Sequence, residues 1–363
     1  MWVQILCGLV IYKICKKLFY DDDVLDVETS DSNAIFSVAA RLEKLYKGKA
    51  YVGLRIPDPD TGSRQNIDIV LITKGEAVVM SVKNLSGFVT VNADGSWVCE
   101  AVGRHRSAVH PDPVAEAKKQ ASILESYLEQ RGVALPEGYL SYKVIIPNPK
   151  FRVINASYFP PEVISYDQWM LMKPENKSML SGWIKGAFRG GKKEMQESIH
   201  QQLNFILSTA PIWDRLEVKG NKYVLGEFLE FKGKQEDIQA LRYIKRSKVS
   251  RLVVQKTSMF GLGHAYMYHD RALVLVMTML VRGGKQRAWA GLFSSPGPGP
   301  LSVKPPSRLQ VLYSSRDYRS EGAASEWNEV TVRSSTEVLF QPANSTKVRK
   351  FKLSSVTSMS LSA

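Results

Sequence analysis

Hydrophobic and polar positions divide the chain into two textures. Ile35, Val38, Ala39, Leu42 and Leu45 fall on one face of a helix spanning residues 31–47, which Gly48 closes. Short apolar strands follow at 50–56, 67–73 and 77–82, the last two separated by KGE. FVTVN and SWVCEAV flank the turn NADG and predict a hairpin. In PVAEAKKQASILESYLEQRG, Val114, Ala117, Ala121, Leu124 and Leu128 recur at helical spacing, and KVIIP is a short buried strand. This order of elements describes an α/β domain over residues 30–150. Residues 151–213 read as a helical connector, with Met195, Ile199, Gln202 and Ile206 in register. From 214 to 363 the pattern changes to short β-rich runs such as KYVLGEFLEF, SRLVVQK, ALVLVMTMLV, RLQVLY and EVLFQ, which predict a barrel or a sandwich. The loop SSPGPGPLSVKPPS interrupts them.

The first 20 residues stand apart. An apolar run from Trp2 to Tyr12 is followed by Lys13, Lys16 and Lys17, without the basic start or cleavage site of a secretory signal. Residues 1–20 therefore read as a membrane anchor, with the lysines holding the main body on the cytoplasmic side. The alternative is an amphipathic helix docked on the protein's own surface.

Composition narrows the function classes. With 44% hydrophobic and 23% charged residues in 363, the chain has the makeup of a folded protein of about two domains. Three cysteines and five histidines exclude a disulfide framework and give no zinc-ligand spacing. Cys99 reads as a packing residue. The net charge of +14 suits an anionic partner, nucleic acid or an acidic membrane. Arg242, Lys245, Arg246, Lys248 and Arg251 form one basic cluster, interleaved with Tyr243. Lys347, Arg349 and Lys350 form another beside Phe351, and FRGGKK adds a third. Such clusters are candidate nucleic-acid contacts, or solvated faces with no partner.

The chemistry concentrates in NIDIVLITKGEAVVMSVKN, residues 66–84. Residues i and i+2 on a strand share a face, so an acid-x-lysine tripeptide presents a metal ligand and a cation together. The carbonyl between them supplies a further oxygen, and an acid on the neighbouring strand completes the set. Asp68 is that neighbouring acid and Lys83 the cation, but Ser81 occupies the tripeptide's acid position. Without further context, Asp68 and Lys83 also fit a structural ion pair between strands. A serine nucleophile at Ser81 would need His105 or His110 nearby.

Ile67-Asp68, Gly75, Val78-Val79-Met80, Lys83-Asn84 and Gly87 together resemble the nuclease-related domain, NERD, a branch of the PD-(D/E)XK nuclease superfamily. HPDPVAEAKKQASILESYL is similar to that family's turn and following helix, and YKVIIPNP to its closing strand. The likeness covers residues 30–150 and implies a restriction-endonuclease-like mixed sheet with flanking helices. It implies a site using Mg²⁺ or Mn²⁺, with Asp68 as metal ligand and Lys83 activating the attacking water. Ser81 replaces the family's glutamate, so the site is expected to be degenerate and its metal weakly held. Ser32 and Asn33 stand where the first helix would supply another acid, and Glu76 lies in the distant turn. The expected function is nucleic-acid binding or metal-assisted phosphodiester chemistry on that scaffold, and the degenerate site leaves open whether hydrolysis survives. The rival is a non-enzymatic membrane adaptor that uses both domains for protein or lipid contacts.

Overall fold

The computed structural model describes residues 22–100, 107–153, 159–172, 193–256, 308–316, 327–343 and 345–362. The proposed anchor, the run ALVLVMTMLV, the loop SSPGPGPLSVKPPS, His105, Arg189 and Lys192 lie outside them.

The N-terminal half is a mixed α/β assembly. Strands β1 (Lys49–Pro57), β2 (Arg64–Ile72) and β3 (Ala77–Val82) pair antiparallel, and β7 (Leu140–Ile145) and β9 (Val163–Ile164) then add parallel to β3. Helix α1 (Asp22–Tyr46) covers one face of this five-stranded sheet. Its Ile35, Val38, Ala39, Leu42 and Leu45 are buried with Ile69, Leu71, Val78, Met80 and Val82. Trp169, from the short helix α3 (Tyr166–Leu171), joins them. On the opposite face, α2 (Pro113–Glu129) and α4 (Lys193–Ser208) bury Leu124, Tyr127, Leu128, Leu203 and Leu207 against Leu54, Val70, Ile72 and Val79. Both sheet faces are covered, so β3 is buried along its whole length and reads as one apolar run.

Strands β3 and β7 each leave the sheet and re-form as neighbours in a smaller one. There β4 (Gly87–Val91) pairs parallel with β8 (Phe151–Val153), and β5 (Trp97–Glu100) and β6 (Ser107–His110) complete the order β6-β5-β4-β8. Gly87 adopts φ +96°, a conformation costly for any residue with a Cβ, and its N–H bonds to Lys150 O at the start of this pairing. Cys99 is buried beside Trp97 in the core beneath the small sheet, and burial raises its thiol pKa.

The C-terminal half forms one antiparallel sheet of eight strands among the described residues, ordered β14-β13-β12-β17-β10-β11-β15-β16. Its members are β10 (Asp214–Val218), β11 (Lys222–Lys232), β12 (Val249–Lys256), β13 (Arg308–Ser315), β14 (Trp327–Arg333), β15 (Glu337–Pro342), β16 (Arg349–Lys352) and β17 (Val356–Ser360), with helix α5 (Gln235–Leu241) between β11 and β12. The β-rich character is as expected, but closure into a barrel is corrected here: among the described residues β14 and β16 do not pair with each other, so the sheet is not closed. Strand patterning reveals alternation and turns, whereas closure depends on strand tilt and stagger, which leave no local trace.

A buried carboxylate organises this sheet. A register shift in β11 after Phe228 frees that residue's N–H beyond the Asp214↔Gly226 end of the β10 pairing. Asp214, 0% exposed, accepts it at 2.7 Å, together with Arg246 Nε at 2.8 Å and Ser362 N at 2.7 Å. Arg246 Nη1 also donates to Glu227 at 2.5 Å. Desolvation of the charge is thus offset by a full set of donors.

The two halves meet at α1 and β11. Where β15 no longer pairs, the N–H groups of Tyr223 and Leu225 donate instead to Asn33 Oδ1 at 2.7 Å and Ser32 Oγ at 3.1 Å. Backbone bonds from Trp213 N to Gly53 O and from Arg55 N to Pro211 O, both 2.8 Å, close the other side of the seam.

Candidate active site

Strands β2 and β3 part at Asp68. Their pairing ends at Ile69↔Met80, and the next N–H that β3 turns toward β2, from Val82, is taken by Asp68 Oδ2 at 2.8 Å. A side-chain carboxylate thus replaces a backbone carbonyl in the ladder, and the fork opens a polar recess between strands. Continuing the register sets Ser81 opposite Asp68, with Lys83 two residues further along.

Another carboxylate approaches Lys83 from α2. Asp112 caps this helix by accepting from Val114 N at 2.8 Å, and Pro113 occupies its first position, which suits the fixed proline φ. The cap sets the first turn over the end of β3. Glu116 Oε2 there lies 2.7 Å from Lys83 Nζ, while its Oε1 accepts from Gln120 Nε2 at 3.3 Å. Expectation and structure differ here: Ser81 brings no acid, but Asp68, Lys83 and Glu116 are gathered around it. Glu116 was missed because 33 residues, including the small sheet's hairpins, separate it from Lys83. The signal that could have found it is the i, i+4 pair Glu116 and Gln120 bordering the apolar stripe of a capped helix.

Among the described residues, two buried oxygens in this recess have no hydrogen-bond partner. Ser81 Oγ belongs to a residue 0% exposed and Gln120 Oε1 to one 3% exposed. Unpaired buried polar atoms are costly and rare in folded proteins. Both lie between β3 and α2, beside the carboxylates.

Charge shapes the site as well. Burial raises the Asp68 pKa to about 6. The Val82 N–H and Lys83 pull it down, whereas Glu116 and Asp31 push it up. Asp31, on α1, is therefore the acid that the first helix brings within range. Ser32 and Asn33 are committed to docking that helix on β11. Glu76 lies at the far end of β3, near Tyr46 and Tyr139, whose hydroxyl pKa values are raised by burial first and by the Glu76 charge second. Asn84, which follows Lys83, donates to Ser30 Oγ at 2.8 Å and accepts from Asn148 Nδ2 at 3.0 Å, tying the end of β3 to α1 and to the β7–β8 loop.

Residues 30–147 match the family model of the nuclease-related domain. This segment is a NERD domain, of the PD-(D/E)XK-like superfamily. The match spans less than half of the chain and leaves the C-terminal sheet outside it. No curated protein matches the chain. Within the NERD domain, Asn84 and Gly87 are thus explained by the loop they hold rather than by chemistry.

The basic residues divide by role. Arg246 is paired with Asp214 and Glu227 inside the C-terminal half. Arg251 and Arg349 are partly buried, each with its Nε shielded from solvent. Arg242, Lys245, Lys248, Lys347 and Lys350 are exposed. Arg242 and Lys248 flank the Tyr243 ring, at 4.5 and 5.9 Å from its centroid. Lys347 and Lys350 belong to the β15–β16 hairpin at the sheet's edge, apart from the loop leading into β12.

Proposed function

We propose that the NERD domain carries a metal-dependent phosphodiesterase site acting on nucleic acid, with Asp68 and Glu116 as the two carboxylates. The observation that carries this reading is the delivery of Glu116 to Lys83 and the Asp68 fork by a capped helix. Among the described residues no three His, Cys, Asp or Glu side chains cluster as a metal site. Mg²⁺ and Mn²⁺ do not require three: as hard cations they accept two carboxylates and keep several waters. The two orphaned oxygens, Ser81 Oγ and Gln120 Oε1, fit such a hydrated ion, because they offer its waters acceptors that nothing else uses. Asp68 and Glu116 would hold the ion, and when bound it would supply Lewis-acid stabilisation and a more acidic water.

The chain's own groups do the remainder. Lys83 neutralises Glu116 and offers ammonium protons toward the fork, where it would orient a nucleophilic water and stabilise negative charge developing on phosphate. The N-terminus of α2, directed at the same recess, adds backbone N–H dipoles that favour an anion. Asp68, with a pKa of about 6, is mostly ionised at neutral pH and available as a ligand.

The test is cleavage of labelled single- and double-stranded oligonucleotides by the full chain with Mg²⁺ or Mn²⁺. Glu116→Gln and Lys83→Ala should each lower the rate by about 100-fold or more, and Glu116→Gln should also weaken Mn²⁺ binding followed by electron paramagnetic resonance. Equal cleavage and equal Mn²⁺ affinity in wild type and Glu116→Gln would remove the site from consideration.

Membrane attachment through residues 1–20, with the body facing the cytoplasm, completes the proposal on the strength of the apolar run Trp2–Tyr12 and the lysines after it. Among the described residues no helix is long and apolar enough to cross a membrane. Resistance of the full chain to alkaline extraction from membranes, lost on deleting residues 1–20, is the expected result.

A further inference from the structure

Among the described residues, Arg55 at the seam between the halves has no carboxylate partner. Its guanidinium lies over the Trp213 ring, 3.9 Å from the centroid. Its Nε is shielded from solvent and, among the described residues, makes no hydrogen bond. The side chain is partly buried, and burial lowers its pKa. A guanidinium nevertheless stays protonated in proteins. Glu227 and Asp214 act on it favourably, but both already receive Arg246, which with Arg64 opposes it.

The seam does not need this side chain. Backbone hydrogen bonds and the Leu54↔Ile212 bridge already join β1 to the segment entering β10. The position is informative instead. Arg55 pairs with Asn66 across β1 and β2, two residues from Asp68. Strand alternation turns Arg55 to the face opposite Leu54, where Trp213 lies, and so away from α2. Arg64, exposed at the start of β2, belongs to the same end of the sheet. Arg246, within electrostatic range of Arg55, starts the stretch leading back to Arg242, Tyr243 and Lys245.

We propose that Arg55, stacked on Trp213, binds a backbone phosphate of a single-stranded nucleic acid at the seam between the halves. Arg64 and the exposed loop carrying Arg242, Tyr243, Lys245 and Lys248 continue the track onto the C-terminal half. Planar guanidinium donors match phosphate oxygens two at a time, and stacking on an indole fixes their plane. Tyr243, 48% exposed between basic residues, is a platform for a base, which favours a single strand.

Fluorescence anisotropy with fluorescein-labelled single-stranded DNA and RNA, using the full chain in EDTA over a salt series, tests it. Arg55→Gln should weaken binding roughly tenfold and flatten the log–log salt slope by about 0.7, the value of one single-strand phosphate contact. Arg55→Lys should retain the slope and lose part of the affinity. Glu116→Gln should bind at least as tightly as wild type, since it removes a negative charge. Wild-type affinity and slope in Arg55→Gln, a lowered melting temperature with an unchanged slope, or no binding by the wild type would each overturn the proposal. If Glu116→Gln still cleaved with Mg²⁺, the nuclease reading would fail while the Arg55→Gln slope still decided the phosphate site.

Discussion

In the proposed site, Ser81 and Glu116 would divide between them what one glutamate does in the acid-x-lysine arrangement. Ser81 lies on β3 opposite Asp68, and Glu116 reaches the same lysine from above the strand end. Their interchangeability can be measured. Ser81→Glu alone inserts a third carboxylate at a position 0% exposed, beside Asp68 with its already raised pKa, and should destabilise the domain by about 2–4 kcal/mol without raising cleavage. In the Glu116→Gln background the same change should restore part of the lost Mn²⁺ affinity. Additive losses in the double variant would show that the two positions do not share one role. Asp68 offers a second test. The folded protein holds its proton up to about pH 6, whereas the unfolded chain releases it near 3.8, so the folded state binds more protons in that window and stability falls as pH rises through it. Asp68→Asn removes this penalty, which two pKa units place on the order of 2–3 kcal/mol. Its melting temperature should exceed the wild-type value at pH 7.5 and converge with it near pH 4, while metal binding is lost. A functional carboxylate that weakens its own fold has that signature.

At the scale of elements, the site depends on how one helix begins. Asp112 and Pro113 fix the first turn of α2, and with it Glu116. Asp112→Ala should cost about 1 kcal/mol of stability, measured by denaturant unfolding, and reduce cleavage by more than that loss explains, because a frayed first turn moves Glu116 from Lys83. Unchanged cleavage would mean that packing of Ala117, Ala121 and Leu124, rather than the cap, sets the helix end. The helix itself was legible, since its apolar residues recur at helical spacing and Gly132, at φ +81°, follows it. So were β1, β2, β3 and the hairpin around NADG. Strands β8 and β9 were not: three and two residues are too few to display a period, and pairing alone defines them.

In the whole molecule, the two halves are locked by groups that the sequence reading assigned elsewhere or passed over. Asp214 gathers donors from β11, Arg246 and Ser362, so it ties the start of the C-terminal sheet to the end of its last strand. Replacing it with alanine leaves Arg246 half-buried with one carboxylate instead of two and should destabilise the sheet by about 3–5 kcal/mol. Thermal unfolding should then separate into two transitions, with the NERD domain melting later. A single transition at the wild-type temperature would show that the clamp carries no stability.

Local pattern was sufficient for α1, α2, β1, β2, β3 and the NADG hairpin of the NERD domain and for the change of texture near residue 214. Each rests on periodicity or on a motif within one stretch of chain. The fourth member of the site, the open rather than closed sheet, the pairing of Arg246 and the stacking of Arg55 on Trp213 were all decided by contacts between distant segments. Lys83 meets Glu116 because β3 and the N-terminus of α2 end at the same place, and the intervening hairpins fold away as a separate small sheet. The sequence alone determined that one carboxylate was absent from the strand; the tertiary structure supplied another, because helix packing rather than strand alternation sets which side chain faces the lysine.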